Sequence, residues 1–250
     1  MSEHDLAGAT ALVTGASRGF GRGIATALSK AGAQVVGVAR DRAPLEELRA
    51  ELGESITAVS ADAADPTVAG RLIDAYHPRI LVLNAGATPL MRPLQHHTWE
   101  TFSVNWQTDV RIAFHWLRES LLKPLRPGSR VVVVSSGAAL AGSPLSGGYA
   151  GAKATQRFIT SYAQEEAARA GLGITFTAVL PRITPLTDLG RPAVQAYATR
   201  AGQSVEEYLR QLGEPLTPEQ AGRVITELVS GPAPDQDAYL LTAAGLAPLP

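Results

Sequence analysis

Thr10-Ala11-Leu12-Val13-Thr14-Gly15-Ala16-Ser17-Arg18-Gly19-Phe20-Gly21 is the stretch on which the fold turns. A short apolar run with strand character stops at a glycine-bearing turn, and a segment with helical spacing follows it. Strand, glycine turn and helix together open a βαβ unit. The same alternation continues to the end of the chain. Strands are predicted at Thr10–Val13, Gln34–Ala39, Ile56–Ser60, Ile80–Leu83, Arg130–Ser135, Ile174–Val179 and Ala238–Leu241. Several are nearly continuous apolar runs, as strands covered on both faces must be.

The helices between them have readable ends. Asp65 before Pro66 supplies an N-cap and a first-turn proline, and the segments from Ser204 to Glu207 and from Thr217 to Gln220 read as capping boxes. No repeat, low-complexity tract or linker interrupts the pattern. It predicts a single α/β domain over residues 1–250, doubly wound and Rossmann-type, with seven parallel strands. The Gly137–Gly148 loop is rich in glycine, serine and alanine, and is read as an active-site loop.

Composition narrows the possible functions. The 250 residues are 45% hydrophobic and 18% charged with a net charge of -1, which suits a folded chain and gives nucleic acid no basic footprint. There is no cysteine, so disulfides, thiolate nucleophiles and cysteine-ligated zinc are excluded. The start, Met1-Ser2-Glu3-His4-Asp5-Leu6, lacks the order of a secretory signal, and no apolar stretch approaches the ~20 residues that span a bilayer. The expectation is a cytoplasmic protein without a membrane partner.

Glycines in the turn let the backbone bend sharply and approach a pyrophosphate, whose charge then meets the N-terminus of the next helix. The turn is therefore read as a dinucleotide cradle built from Gly15, Ser17, Arg18, Gly19, Phe20 and Gly21. A preference for NAD calls for an acid at the end of the second strand, but that strand ends Val38-Ala39-Arg40. Arg18 and Arg40, if not simply solvated, offer guanidinium donors to a ribose 2′-phosphate, so NADP(H) is the predicted cofactor.

Tyr149 and Lys153 lie four apart at the start of a helix running towards Ala170, which puts ammonium and phenol on one face. A neighbouring cation favours phenolate, making the tyrosine a usable general acid or base. Ser136, at the carboxyl end of a predicted strand, can donate to a substrate oxygen as charge develops.

Taken together, the Gly-x-x-x-Gly-x-Gly turn, Leu83-Asn84-Ala85-Gly86, Asn105, Ser136, Tyr149 and Lys153 resemble the short-chain dehydrogenase/reductase family, in the right order. The resemblance implies hydride transfer between a nicotinamide and a carbonyl or secondary alcohol. Tyr149 would be the proton donor, Lys153 the holder of the nicotinamide ribose, Ser136 the orienter of the carbonyl, and Asn105 the anchor of a water-linked proton path. It also implies that Asp62, with Ala63, meets the adenine, that Asn84, Ala85 and Gly86 border the cofactor, and that the enzyme is a homodimer or homotetramer.

The chain departs from the family after the sixth strand, where Pro181 is followed by Arg182 rather than glycine. Thr184 and Thr187 then compete for the nicotinamide carboxamide. Met91, Leu94, Leu140, Leu145, Leu186 and Leu189 are expected to line an apolar substrate pocket, favouring a hydrophobic ketone. His96 and His97 read as a surface turn rather than a metal site, and Trp99, Trp106 and Trp116 as helix packing. The alternatives are a 3-oxoacyl carrier-protein reductase and, in a different class, a non-catalytic dinucleotide-binding regulator.

Overall fold

Neighbouring residues of the central strands face opposite ways, and in this chain both directions are apolar. A computed structural model describes residues 6–249; the leading Met1–Asp5 segment and Pro250 lie outside the described residues. Its strands are β1 (Thr10–Thr14), β2 (Gln34–Ala39), β3 (Ile56–Ser60), β4 (Ile80–Leu83), β5 (Arg130–Val134), β6 (Thr175–Pro181), β7 (Ala238–Thr242) and β8 (Gly245–Pro248). They form one sheet in the order β3-β2-β1-β4-β5-β6-β7-β8. All seven expected strands are present and parallel, with ends shifted by a residue or two. The eighth was not expected. It pairs antiparallel with β7 across a tight turn, Thr242 facing Gly245.

The helices are α1 (Gly19–Lys30), α2 (Arg42–Leu52), α3 (Pro66–Tyr76), α4 (Trp99–Asn105), α5 (Arg111–Leu122), α6 (Ala138–Ala141), α7 (Tyr149–Arg169), α8 (Gly190–Arg200), α9 (Val205–Leu212) and α10 (Pro218–Ser230). Asp65 caps α3 through the Thr67 amide, and the boxes at Ser204 and Thr217 close as read. A single π-helical turn, Trp106–Val110, joins α4 to α5.

Two apolar layers follow from the strand alternation. Ala11 and Val13 of β1 pack with Ile24 and Leu28 of α1 and Ile225 and Val229 of α10. Leu12 faces the other layer, with Leu72 of α3, Trp116 of α5 and Phe176 of β6. Trp116 is fully buried and donates its indole N–H to the Ala63 carbonyl at 3.0 Å, so it both fills space and pins the loop after β3. Trp99 and Trp106, expected in the same packing role, are instead exposed.

The chain turns back on itself between β1 and β4: β2 and β3 lie on one side of β1, the later strands on the other. Ligands of open α/β sheets bind outside the carboxyl ends at such a switch point. On the layer beside it, α1 and α10 approach so closely that a Cβ on Gly23 would stand 2.1 Å from the Pro218 carbonyl oxygen. No backbone adjustment at one residue relieves such a clash. Gly23→Val should therefore destabilise the fold by about 2 kcal/mol or more, read as a lower urea midpoint with an unchanged slope.

Candidate active site

At the end of β1 the backbone swings away from β4, leaving the amides of Asn84 and Ala85 without ladder partners. The Thr14 hydroxyl takes both, at 3.0 and 3.2 Å. Asn84 returns the tie, its side-chain amide reaching the carbonyls of Thr14 and Gly15 at 3.4 and 3.3 Å. These bonds lock the Asn84–Gly86 segment against the glycine turn. Gly15 has φ of 69°, a region that favours glycine, and a Cβ on Gly21 would stand 2.0 Å from the Gly15 carbonyl oxygen. Arg18, the N-cap of α1, is extended and its side chain does not cap the helix, so the first-turn amides are left to an anion. The cradle fits a pyrophosphate.

A cleft of about 900 Å³ opens above this turn. Around it stand Gly15, Ser17, Arg18, Gly19 and Phe20 of the turn, with Arg40, Asp62, Ala63, Asn84, Ala85 and Gly86 beside them. Pro181, Thr184 and Thr187, and Ser136, Tyr149 and Lys153, line the cleft as well. Gly21 is behind the turn and sets its shape without reaching the cleft. Asp62 Oδ1 is engaged by the Ala64 amide at 3.0 Å, and Thr187 Oγ1 by the Gly190 amide at 3.0 Å. Arg18 reaches Asp188 at 3.5 Å across the mouth, with both side chains largely exposed. Arg182 is exposed on the rim.

The helix α7 begins at Tyr149, and its first turn carries both titratable groups into the protein. Tyr149 is 8% exposed and Lys153 4%. The ammonium lies 5.5 Å from the centre of the phenol ring. It also contacts Asp109 Oδ2 at 3.0 Å, Gln156 Oε1 at 3.0 Å and the Val134 carbonyl at 3.5 Å. The Ser136 hydroxyl accepts from the Ala138 amide at 3.2 Å, holding it at the start of α6.

The electrostatics correct one expectation. The i,i+4 spacing does place the ammonium beside the phenol. Burial nevertheless pushes Tyr149 above the ordinary tyrosine value, and it outweighs Lys153 and the Ser136 hydrogen bond, which both pull it down; Asp109 and Tyr197 push the same way as burial. Lys153 stays above the ordinary lysine value although burial opposes its charge, because Asp109 and Tyr149 favour the ammonium.

Asn105 does not face the cleft. It is fully buried, donating to the Ala87 carbonyl at 2.7 Å and to Asp109 Oδ1 at 3.3 Å. Its own Oδ1 has no hydrogen-bond partner. Of the expected substrate residues, Met91, Leu140 and Leu189 line the cleft; Leu94 and Leu186 point to solvent and Leu145 is buried away from it. The period of the chain could not separate these, since loop leucines carry no facing information.

Sequence reading missed Ser143, Tyr197 and Tyr208. The Ser143 and Tyr197 hydroxyls share a short hydrogen bond, and the Tyr197 and Tyr208 rings stack with centroids 6.5 Å apart. All three line the cleft. The available signal was two tyrosines in the stretch after Pro181. His97 is engaged by Thr101 and the Arg92 carbonyl, and no cluster among the described residues could hold a metal ion. Nor is any described helix long and apolar enough to cross a membrane.

Residues 9–198 match the short chain dehydrogenase family. The chain belongs to that family. It is thus an oxidoreductase of the short-chain type, and members of the family use nicotinamide cofactors. Among curated relatives, the hydroxynaphthalene reductase-like protein Arp2 of Metarhizium brunneum is 32% identical over 242 residues, covering 89% of this chain and 88% of its own. An L-xylulose reductase of Mesocricetus auratus is 37% identical over 106 residues, covering 42% and 43%. A dehydrogenase/reductase from Sinorhizobium meliloti 1021 has a similar structure, with a TM-score of 0.76 and 26% identity over 91% of this chain and 90% of that one.

In this short-chain dehydrogenase, Tyr149 is the buried phenol that lines the cleft beside Lys153 and Ser136. Tyr149→Phe removes one hydroxyl and keeps the packing. It should cut turnover by about 10³-fold or more while cofactor affinity, followed by fluorescence titration, stays within about twofold.

Proposed function

We propose that this protein is an NADP(H)-dependent ketoreductase, or alcohol dehydrogenase in reverse, acting on a hydrophobic ketone within a single domain. The observation that carries the reading is the convergence of Ser136, Tyr149 and Lys153 in one cleft that Arg18 and Arg40 also line. A pure dinucleotide-binding regulator has no need of a buried phenol–ammonium pair.

When bound, the nicotinamide supplies or takes up the hydride. Tyr149 gives the substrate oxygen its proton during reduction, and Ser136 holds that oxygen by hydrogen bonding. Lys153 would hold the cofactor ribose, and it keeps a positive charge beside the phenol. Pro181 shapes the nicotinamide end, where Thr184 and Thr187 remain the two candidates for the carboxamide. Asn105 supports the proton path through its bonds to Ala87 and Asp109 rather than by touching substrate.

The cofactor preference rests on the adenosine end. Arg40 lines the cleft and makes no ion pair among the described residues. Asp41, the acid that follows it, is occupied in capping α2 through the Ala43 amide. The Arg18–Asp188 pair is solvated and long, so it gives way to a phosphate at small cost. Arg40→Ala should lower kcat/KM for NADPH by about 10-fold to 100-fold, the worth of a charged hydrogen bond. It should leave NADH nearly unaffected. A wild-type enzyme that prefers NADH would sink the assignment.

The substrate end is walled by Met91, Leu140 and Leu189 together with the Tyr197–Tyr208 stack. Such a wall suits a flat or apolar carbonyl compound, which agrees with the hydroxynaphthalene reductase-like relatives matched over most of the chain. In a ketone panel, bicyclic aromatic ketones should give a higher kcat/KM than ketoses, and Tyr208→Ala should raise KM for the former at least about threefold. Better turnover of ketoses would overturn the hydrophobic reading. Assembly as a homodimer or homotetramer is supported by the exposure of Phe114 and Leu122 on α5 and Phe158 and Tyr162 on α7, two helices that pack side by side.

A further inference from the structure

Asp109 sits on the π-helical turn between α4 and α5, four residues after Asn105, and it is fully buried. A lone aspartate in that position would read from sequence as one face of a solvated helix. Instead, both carboxylate oxygens are committed. Oδ1 accepts from the Ala87 amide at 2.8 Å and from Asn105 Nδ2 at 3.3 Å, while Oδ2 meets Lys153 Nζ at 3.0 Å. The main chain at residue 86 also closes on the carboxylate: a Cβ added to Gly86 would stand 2.8 Å from Oδ2. The lysine has no other carboxylate in reach among the described residues.

A buried ion pair of this kind does two things. It fixes the lysine rotamer, since the ammonium is held by Asp109, Gln156 and the Val134 carbonyl at once. It also weakens what the lysine can do for its neighbour, because the phenol experiences the pair and not a bare cation. We propose that Asp109 is a positioning residue of the catalytic group: it holds Lys153 in place and offsets the ammonium charge beside Tyr149, biasing the site towards a proton-donating phenol and hence towards carbonyl reduction. This rests on Tyr149 being the proton donor of the proposed reaction.

The groups facing the phenol are Lys153, Ser136, Asp109 and Tyr197. Those facing the ammonium are Asp109 and Tyr149, with the neutral Gln156 and Val134 carbonyl. His97 packs against Gly147, two residues before Tyr149, but its ring nitrogens face Thr101 and Arg92. At the phenol, burial, Asp109 and Tyr197 favour the protonated form, and Lys153 and Ser136 oppose it. Neutralising Asp109 therefore tips the balance towards phenolate.

Asp109→Asn keeps the side-chain volume and an oxygen for the Ala87 amide while removing the charge. Ultraviolet difference titration of the cofactor-free protein, each form against its own Tyr149→Phe partner, reads the phenol directly. Its midpoint should fall by about one pH unit in Asp109→Asn, and the alkaline limb of carbonyl reduction should move down with it. An unmoved or higher midpoint overturns the proposal, even if turnover falls, since a purely structural aspartate would lower activity at every pH alike. A shifted midpoint in a protein that reduces no carbonyl would leave the role of Asp109 standing and remove the proposed reaction. If Asp109→Asn does not fold, the wild type still decides. With only Lys30, Lys123 and Lys153 present, 13C-labelled lysine gives three resolvable titrations. Lys153 should lose its proton above the pH of free lysine, and loss below that pH would show that no ion pair holds it.

Discussion

One threonine hydroxyl satisfies two backbone amides at the seam where β1 and β4 part, and the cleft is shaped by that arrangement. Parallel neighbours can separate only if the peptide groups they release find other partners, because an orphaned amide in a dry interior costs more than a hydrogen bond contributes. Thr14 provides the acceptor and Asn84 provides the reciprocal donor, to the carbonyls of Thr14 and Gly15. The seam can then open without unravelling. Gly15 and Gly21 fit in the space that remains, where any side chain would strike backbone.

A second set of buried polar groups is built on the same segment. Asp109 accepts from Ala87, directly after Gly86, so the segment that lines the cleft is tied to the countercharge of the buried Lys153. Removing either partner of a buried pair strands a charge, which is far more costly than replacing both. Asn105, Asp109, Lys153 and Gln156 consequently behave as a unit: Gln156 links it to the π turn by donating to the Asp109 carbonyl at 2.9 Å. The π turn is part of this network. Asp109, four residues beyond Asn105, lies in that turn and meets the lysine at 3.0 Å.

How much of this could be read from the chain depends on whether the information is local. The parallel strands are legible because each is an apolar run bounded by turn residues, and the caps at Asp65, Ser204 and Thr217 because a cap is a four-residue event. β8 is not legible. Gly245-Leu246-Ala247-Pro248 has neither alternation nor β-branched residues, and it is a strand only because β7 offers an open edge. The serine, tyrosine and lysine are legible as a spaced set, but their electrostatic balance is not, since burial of the phenol is a property of the packed helix. Tyr197 and Tyr208 face each other only because α8 and α9 pack together, and Asp109 finds its partner across two helices. Leu94, Leu145 and Leu186 fail for the same reason in reverse: their apolarity was visible and their direction was not.

The cleft therefore holds charge by two opposite means. At the mouth, Arg18 and Arg40 are solvated, and the Arg18–Asp188 contact is screened and weak. Groups held so loosely can turn towards an incoming anion, and their influence fades as salt rises. At the floor, Lys153 and Asp109 are almost wholly buried, so salt screens their field at the phenol far less. A site that must first capture a multiply charged dinucleotide and then time one proton benefits from that division. Capture tolerates mobile charges; proton transfer requires the fixed ones that only the interior, with its paired and hydrogen-bonded lysine, can keep in place.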